Sequence, residues 1–352
     1  MDNPFTLSFG MEPIQYISRL SQSVEIIESF TSDNPSTYAY MITGVRGSGK
    51  TVMLSNLSER FENEENWIVL NVIPDSDILN SVAAKLYSRS ELKKLFVRAK
   101  LDLSAFGLGV SLEHGEQIFD IETALEKMIT ELKNKGKKVL ITVDEVMRND
   151  HVKVFASTFQ LLLRKKLPVF LIMTGLYENI YNLQNEKTLT FLYRCPKIIM
   201  EPLSLGAIAR SYATIFDLDD ESSIYMARQT KGYAFAYQAL GYIYWQEIKI
   251  KGKKLSVDDV MPRYDEVLEA YVYEKIWSEL SPKEKSILGY LVNKDSVNVS
   301  EVRDALNESP NAFSVYRDRL KKKGLIDTSD YGRISYKLPR FGQIISVWVD
   351  FA

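Results

Sequence analysis

From about Ile14 to Leu203, short apolar runs alternate with stretches whose apolar positions recur at helical spacing. The strand-like runs are Tyr38–Thr43, Trp67–Ile73, Lys138–Val143, Val169–Thr174 and Lys197–Glu201, each largely apolar through its interior. A half-exposed strand would alternate apolar and polar residues, whereas a parallel strand buried on both faces stays apolar. The pattern predicts an α/β domain built on a parallel sheet. Between the second and third runs, Lys100–Glu113 (KLDLSAFGLGVSLE) alternates and holds two glycines, which predicts an inserted hairpin or edge strand.

After Ser204 the period turns helical, with helices expected at Ala207–Phe216, Ser222–Arg228 and Ala234–Ile250. A basic connector, residues 249–255, leads into further helix from Val257 to Leu280. The final part predicts helices at Lys283–Val292, Ser300–Leu306 and Asn311–Lys323, then an alternating stretch, Leu325–Leu338, that turns at Asp330-Tyr331-Gly332. Three short helices followed by a hairpin is the order of a winged helix-turn-helix. The expected organisation is an α/β domain over residues 1–203, a helical subdomain over 204–262, and a linker helix with a winged helix over 263–352.

Composition adds little to this picture: 45% apolar and 26% charged residues are ordinary for cored domains, so disorder is not expected. The longest apolar stretches, such as Leu167–Met173, fall far below the ~20 residues of a membrane span, which argues against a membrane partner. The start, MDNPFTLSFG, lacks a basic end and an apolar h-region, and Cys195 is the single cysteine. Both features point to a reducing cytoplasm. The net charge of −2 is distributed unevenly, because residues 281–352 carry 12 Lys and Arg against 9 Asp and Glu. A modest basic excess gathers at the carboxyl end.

The strongest chemical signal is Gly44-Val45-Arg46-Gly47-Ser48-Gly49-Lys50-Thr51, which satisfies G-x-x-x-x-G-K-[ST] between an apolar strand and a helical pattern that includes Val52. Glycines let successive N–H groups turn inward around a phosphate, and the helix beginning at Lys50 adds its positive end. Lys50 would reach the β and γ oxygens, and the Thr51 hydroxyl would ligate Mg²⁺. A second element is the strand that ends in Asp144-Glu145. Asp144 would hold the Mg²⁺ shell, while Glu145, one residue on, points elsewhere and would polarise an attacking water. Thr174, ending the next strand, would sense the γ-phosphate or merely turn the chain. Arg194 would supply positive charge to a γ-phosphate in the same or a neighbouring subunit, or form a surface ion pair. ATP with Mg²⁺ is the expected ligand pair.

His114 and His151 have no Cys or His at ligand spacing, which makes them ordinary loop or surface residues. Cys195 reads as packing, and the aromatic group Tyr233, Phe235, Tyr237, Tyr242, Tyr244 and Trp245 reads as helix packing. In the third helix of the carboxyl unit, Arg317, Arg319, Lys321, Lys322 and Lys323 face one acid, Asp318. They would meet duplex DNA, with Arg333 of the wing reaching the adjacent backbone. A protein-docking winged helix is the alternative, since a Lys-rich helix end is also stabilised by its own dipole.

With these residues in place, the chain resembles the AAA+ ATPases, near the branch of origin-recognition ATPases and related archaeal and bacterial proteins. Gly44–Thr51 and Asp144-Glu145 match the family's Walker A and Walker B patterns, Thr174 fits its sensor 1 position, and Arg194 falls where an arginine finger often lies. Ile17-Ser18-Arg19 is similar to the segment beside the adenine, with Ser18 in place of a glycine, so the resemblance implies adenine contact through Ile17 and Arg19. The lid departs from the family: Gly232-Tyr-Ala-Phe-Ala-Tyr-Gln238 stands where many members have a sensor 2 arginine. The resemblance implies an ATP-hydrolysing switch that binds ATP and ADP, engages DNA and assembles as a homo-oligomer or with a partner protein. A nucleotide-regulated signalling or assembly scaffold is the rival reading.

Overall fold

The computed structural model describes every residue except 1, 9, 11, 109–115, 187–188 and 350–352. It divides into two compact units, one formed by residues 20–43 and 50–199, the other by residues 1–19, 44–49 and 200–352.

The first unit is built on five parallel strands: β1 (Ala39–Thr43), β2 (Trp67–Val72), β3 (Lys138–Val143), β4 (Val169–Gly175) and β5 (Lys197–Ile199). Their order across the sheet is β2-β3-β4-β1-β5. The central strands β1 and β4 are buried at every position, which explains their unbroken apolar runs. Alternation then sorts side chains onto two faces. On one face Met41, Leu70, Ile141 and Leu171 join a core with helices Ile78–Ser88, Ile121–Asn134 and Asp150–Arg164. On the other, Tyr40, Trp67 and Phe170 meet Phe30 of helix α1 (Leu20–Thr31) and Phe61 of helix α2 (Lys50–Glu62) in an aromatic cluster.

The strand insertion departs from expectation. Residues 109–113 of the Lys100–Glu113 stretch lie outside the described residues. Leu101–Asp102 pairs in parallel with Glu116–Gln117 in a separate two-stranded ladder. This pairing is parallel and not that of a hairpin's adjacent arms, and the ladder is separate from the central sheet.

In the second unit, helices α3 (Leu205–Phe216), α4 (Asp220–Arg228) and α5 (Ala234–Trp245) are each entered from extended backbone. Ser204 and Asp219 cap the first two by accepting from Ala207 N and Ser222 N. Phe5 is the centre of their packing: its ring meets Tyr212, Phe216 and Tyr237 at centroid distances of 5.9, 5.8 and 5.5 Å. Gly241 of α5 permits this approach, since a Cβ there would lie 2.5 Å from the Phe5 ring.

The carboxyl-terminal elements are α6 (Pro282–Tyr290), β6 (Val297–Asn298), α7 (Val299–Ala305), α8 (Pro310–Lys322), β7 (Ile326–Asp327), β8 (Arg333–Tyr336) and α9 (Phe341–Val349). Strand β8 pairs antiparallel with both β6 and β7. Ser281 and Glu284 form a reciprocal capping box at the start of α6. Among the described residues, no helix is long and apolar enough to cross a membrane.

Phe5→Ala should lower the stability of its unit by about 3–5 kcal/mol, the usual cost of deleting a buried aromatic ring. Phe119→Ala, at a ring 74% exposed, should change it little. Urea unfolding of the two variants against the parent chain checks the contrast.

Candidate functional site

The polar positions of the first unit collect on the sheet face that carries α2. Leu140 and Thr142 share one side of β3, and Phe170 and Ile172 share one side of β4, so alternation assigns Asp144 and Thr174 to that same face. Helix α2 brings Thr51 and Ser58 to it: Thr51 Oγ1 donates to Asp144 Oδ2 at 2.8 Å, and Ser58 Oγ donates to Asn71 Oδ1 at 3.1 Å. The Thr174 hydroxyl, fully buried, donates to Asp144 Oδ1. Asp144 therefore accepts from a hydroxyl at each of its two oxygens.

Glu145 is held by its backbone and freed at its side chain. Its N–H is shared between Asp144 Oδ1 and Thr174 Oγ1, each at 3.1 Å. Val146 N donates to Thr174 O at 2.8 Å, tying the residue after it to the end of β4. Glu145 adopts φ of +53°, a left-handed conformation that a non-glycine residue rarely takes. Its side chain is exposed. The threonine is thus fully engaged in shaping the Asp144-Glu145 turn, where the sequence suggested contact with phosphate or a simple chain turn.

The phosphate loop, Gly44–Gly49, packs within the second unit. Ser48 N donates to Val45 O at 3.1 Å, closing a turn in which Gly47 has φ of +74°. Three consecutive carbonyls of the loop are gripped: that of Arg46 by the Tyr233 hydroxyl, that of Gly47 by Phe235 N at 3.1 Å, and that of Ser48 by Arg19 Nη2 at 3.0 Å. Arg19 Nη1 donates to Glu201 O. Burial lowers the Arg19 guanidinium below its usual value, against Tyr16 and Glu201, which raise it. Arg19 thus donates to backbone from both of its Nη atoms, and Ile17 packs half-buried against the core of the unit. The Arg46 side chain pairs with Glu279 at 3.2 Å, and Val45 packs into the same core.

The loop fits a phosphate group. The Ser48 hydroxyl is buried with no hydrogen-bond partner, and Gly44 sits so close to it that a Cβ there would lie 2.6 Å from Ser48 Oγ. Gly49 has φ of +91°, and the chain passes from it directly into α2 at the buried Lys50, followed by the half-buried Thr51 and Val52. Among the described residues, no three His, Cys, Asp or Glu converge as a metal site. Mg²⁺ at Asp144 and Thr51 would draw its remaining ligands from water and nucleotide phosphates, the usual way that ion is held.

The other candidates divide. Arg194 is exposed beside Tyr193, itself 68% exposed, and its side chain has no partner among the described residues. His151 is exposed in the first turn of its helix, and His114 lies outside the described residues. Burial pushes the Cys195 thiol up to about 12, which suits packing and not nucleophilic work. Of the aromatic group, Tyr233, Phe235, Tyr237, Tyr244 and Trp245 are buried, as helix packing requires.

On α8, Arg319, Lys321 and Lys322 are exposed and Arg317 is half-buried. Lys322 pairs with Asp318 at 2.6 Å, and Arg319 lies over the Tyr316 ring at 5.8 Å. Two expected contacts are engaged within the unit. Lys323, with its side chain 12% exposed, pairs at 2.8 Å with Glu284, whose desolvation the lysine and the Ser281 donors outweigh. Arg333 gives Nε to Ser296 Oγ and Nη2 to Ser296 O, both at 2.8 Å.

Residues 21–174 match the profile of an ATPase domain found predominantly in Archaea. Residues 270–345 match that of a domain of unknown function (DUF8462). No curated protein matches the chain. Among solved structures, the Aeropyrum pernix ORC2 protein is similar with a TM-score of 0.61 at 14% identity, covering 98% of this chain and 97% of that one. The Pyrobaculum aerophilum Cdc6p structure aligns with a TM-score of 0.49 at 15% identity, covering 98% and 97%. Residues 21–174 thus match an ATPase-domain profile predominantly from Archaea, and the chain shares the fold of the Aeropyrum pernix ORC2 protein.

Proposed function

We propose that the chain binds and hydrolyses ATP with Mg²⁺ and uses the nucleotide state to control engagement of duplex DNA by a carboxyl-terminal winged helix. The observation that carries the hydrolytic part is the Asp144-Glu145 turn, in which Asp144 is fixed by Thr51 and Thr174 while Glu145 stays exposed. The solved Aeropyrum pernix ORC2 protein was captured with ADPNP and ADP, which agrees with this reading.

The amides of the loop and the Lys50 ammonium bind the β- and γ-phosphates. Thr51 and Asp144 would hold the cation, which would supply positive charge against that of the phosphates. Glu145 takes a proton from the attacking water, whose oxygen bonds to the γ-phosphorus as the bond to the β-phosphate oxygen breaks. Thr174 orients Glu145 through its backbone. Arg194, exposed at the surface, serves a γ-phosphate in a neighbouring copy. The domain boundaries at 203 and 262 remain part of this proposal, the middle segment acting as the lid.

For DNA, the winged-helix reading is supported by the antiparallel β6-β8-β7 sheet, whose strands β7 and β8 follow α6, α7 and α8 in the chain while β6 lies between α6 and α7. Arg317, Arg319, Lys321 and Lys322 supply the contacts. Protein docking has its own support: Val315 on α8 is 57% exposed and Tyr331, at the turn before β8, is fully exposed.

Glu145→Gln should keep ATP binding and reduce turnover by about a hundredfold or more, while Lys50→Ala should lose both; phosphate release and equilibrium binding measure them. Undiminished turnover in Glu145→Gln would remove that carboxylate from the mechanism. With Lys323 and Arg333 committed inside their unit, about four cations remain for phosphates, so log affinity for a DNA duplex should fall against log salt with a slope of roughly −3 to −4. A flat response, or no duplex binding at about 50 mM salt, favours the protein partner.

A further inference from the structure

The turn that opens the phosphate loop is one of two turn types with the same closing hydrogen bond, and a tyrosine hydroxyl bonds its central peptide. Its four residues are Val45, Arg46, Gly47 and Ser48, closed by Ser48 N donating to Val45 O at 3.1 Å. Gly47, in the third position, has φ of +74°, and Arg46 is not among the positive-φ residues. That combination is a type II turn. A type I turn would keep the same closing bond and differ by a flip of the central peptide, here the one joining Arg46 to Gly47.

The flip matters because of peptide geometry. In a trans peptide the C=O of one residue and the N–H of the next point to opposite sides, and no peptide bond here is cis. Holding the Arg46 carbonyl therefore fixes the direction of the Gly47 N–H. The holder is Tyr233, at the start of α5. Its ring is 6% exposed and stacks on Tyr273 at a centroid distance of 6.4 Å, so the hydroxyl has little freedom to turn elsewhere. Burial raises its pKa far above the ordinary phenol value, which keeps it a neutral donor. Gly47 is also the residue that lets the tyrosine come this close, since a Cβ there would lie 2.3 Å from Tyr233 Oη.

We infer that Tyr233 is a positioning residue for nucleotide binding: by donating to the Arg46 carbonyl it selects the type II turn and aims the Gly47 N–H at the bound phosphates. The inference rests on the nucleotide-binding reading above. It assigns to the lid a route of control through the backbone of the loop, at a helix start that lacks the arginine many AAA+ members carry there. Arg19 acts in the same sense one step on, where its grip on the Ser48 carbonyl fixes the Gly49 N–H.

The test compares the full chain with Tyr233→Phe and Tyr237→Phe. Tyr237 is the matched control, because it lies on the same helix and its buried hydroxyl bonds Ser211 at 2.6 Å, away from the loop. ATP and adenosine affinities are measured by calorimetry, alongside the melting temperature without ligand. Loss of one loop-ordering hydrogen bond should weaken ATP binding about five- to tenfold in Tyr233→Phe. Adenosine affinity should be unchanged there, and ATP affinity unchanged in Tyr237→Phe. Parental ATP affinity in Tyr233→Phe overturns the inference, as does an equal loss for adenosine or an equal loss in the control, either of which marks general damage to the lid. A parent chain that binds no ATP, or a Lys50→Ala variant that binds it as well as the parent, overturns the nucleotide reading itself and this inference with it.

Discussion

The Asp144 carboxylate organises the first unit, because the ends of three elements meet on it. It terminates β3, accepts the hydroxyl of Thr51 in the first turn of α2, and accepts that of Thr174 from the end of β4. The strand order makes this possible: β4 lies directly beside β3, in register from Val139 against Val169 to Val143 against Met173. A carboxylate in partial burial needs donors to offset its lost hydration. Two threonine hydroxyls supply them without adding charge, which leaves the site anionic and suited to a divalent cation. Thr174 also accepts from the Glu145 amide, so one buried hydroxyl stabilises both the Asp144 carboxylate and the left-handed turn that exposes Glu145.

The phosphate loop shows the complementary logic. A loop meant to bind anions must present N–H groups, and every N–H presented leaves a carbonyl facing the other way. Here three consecutive carbonyls find donors in Tyr233, the Phe235 amide and Arg19. The back of the loop is thereby satisfied by the protein itself. The Ser48 hydroxyl, buried without a hydrogen-bond partner among the described residues, lies within the stretch that phosphate would occupy.

Much of this was legible in the sequence. Unbroken apolar runs gave the five strands to within a residue or two, because full burial on both faces leaves no polar alternation. Gly44–Thr51 and Asp144-Glu145 were readable because each residue type is demanded by a local backbone or ligand requirement. The inserted stretch at Lys100 misled because alternation reports one exposed face and not the partner strand, so it gave no warning of a parallel ladder with Glu116–Gln117. Spacing put Arg19 near the loop but did not say that its guanidinium would donate to the Ser48 and Glu201 carbonyls. Tyr233 gave no signal of its own, since a tyrosine in an aromatic helix reads as packing and its ring does pack; only the destination of the hydroxyl separates the two roles.

The carboxyl-terminal unit shows why a count of cations overstates a contact surface. Of the six Lys and Arg read as DNA contacts, Lys323 is drawn down onto Glu284, which is itself 1% exposed and bound into the capping box of α6. A buried carboxylate of that kind requires its cation, because removing the partner leaves an uncompensated charge in a poorly hydrated place. Arg333 is fixed in the same way by the hydroxyl and carbonyl of Ser296, which pin the start of β8 beside β6. The basic excess of the segment is thus partly structural, holding helices and strands together. What remains for a partner is a small set of cations on α8, Arg317, Arg319, Lys321 and Lys322, with the exposed Val315 two residues before them. A set of that size gives a phosphate backbone weak, salt-sensitive attachment and little sequence reading, so strong engagement of DNA by this unit would have to come from several copies acting together.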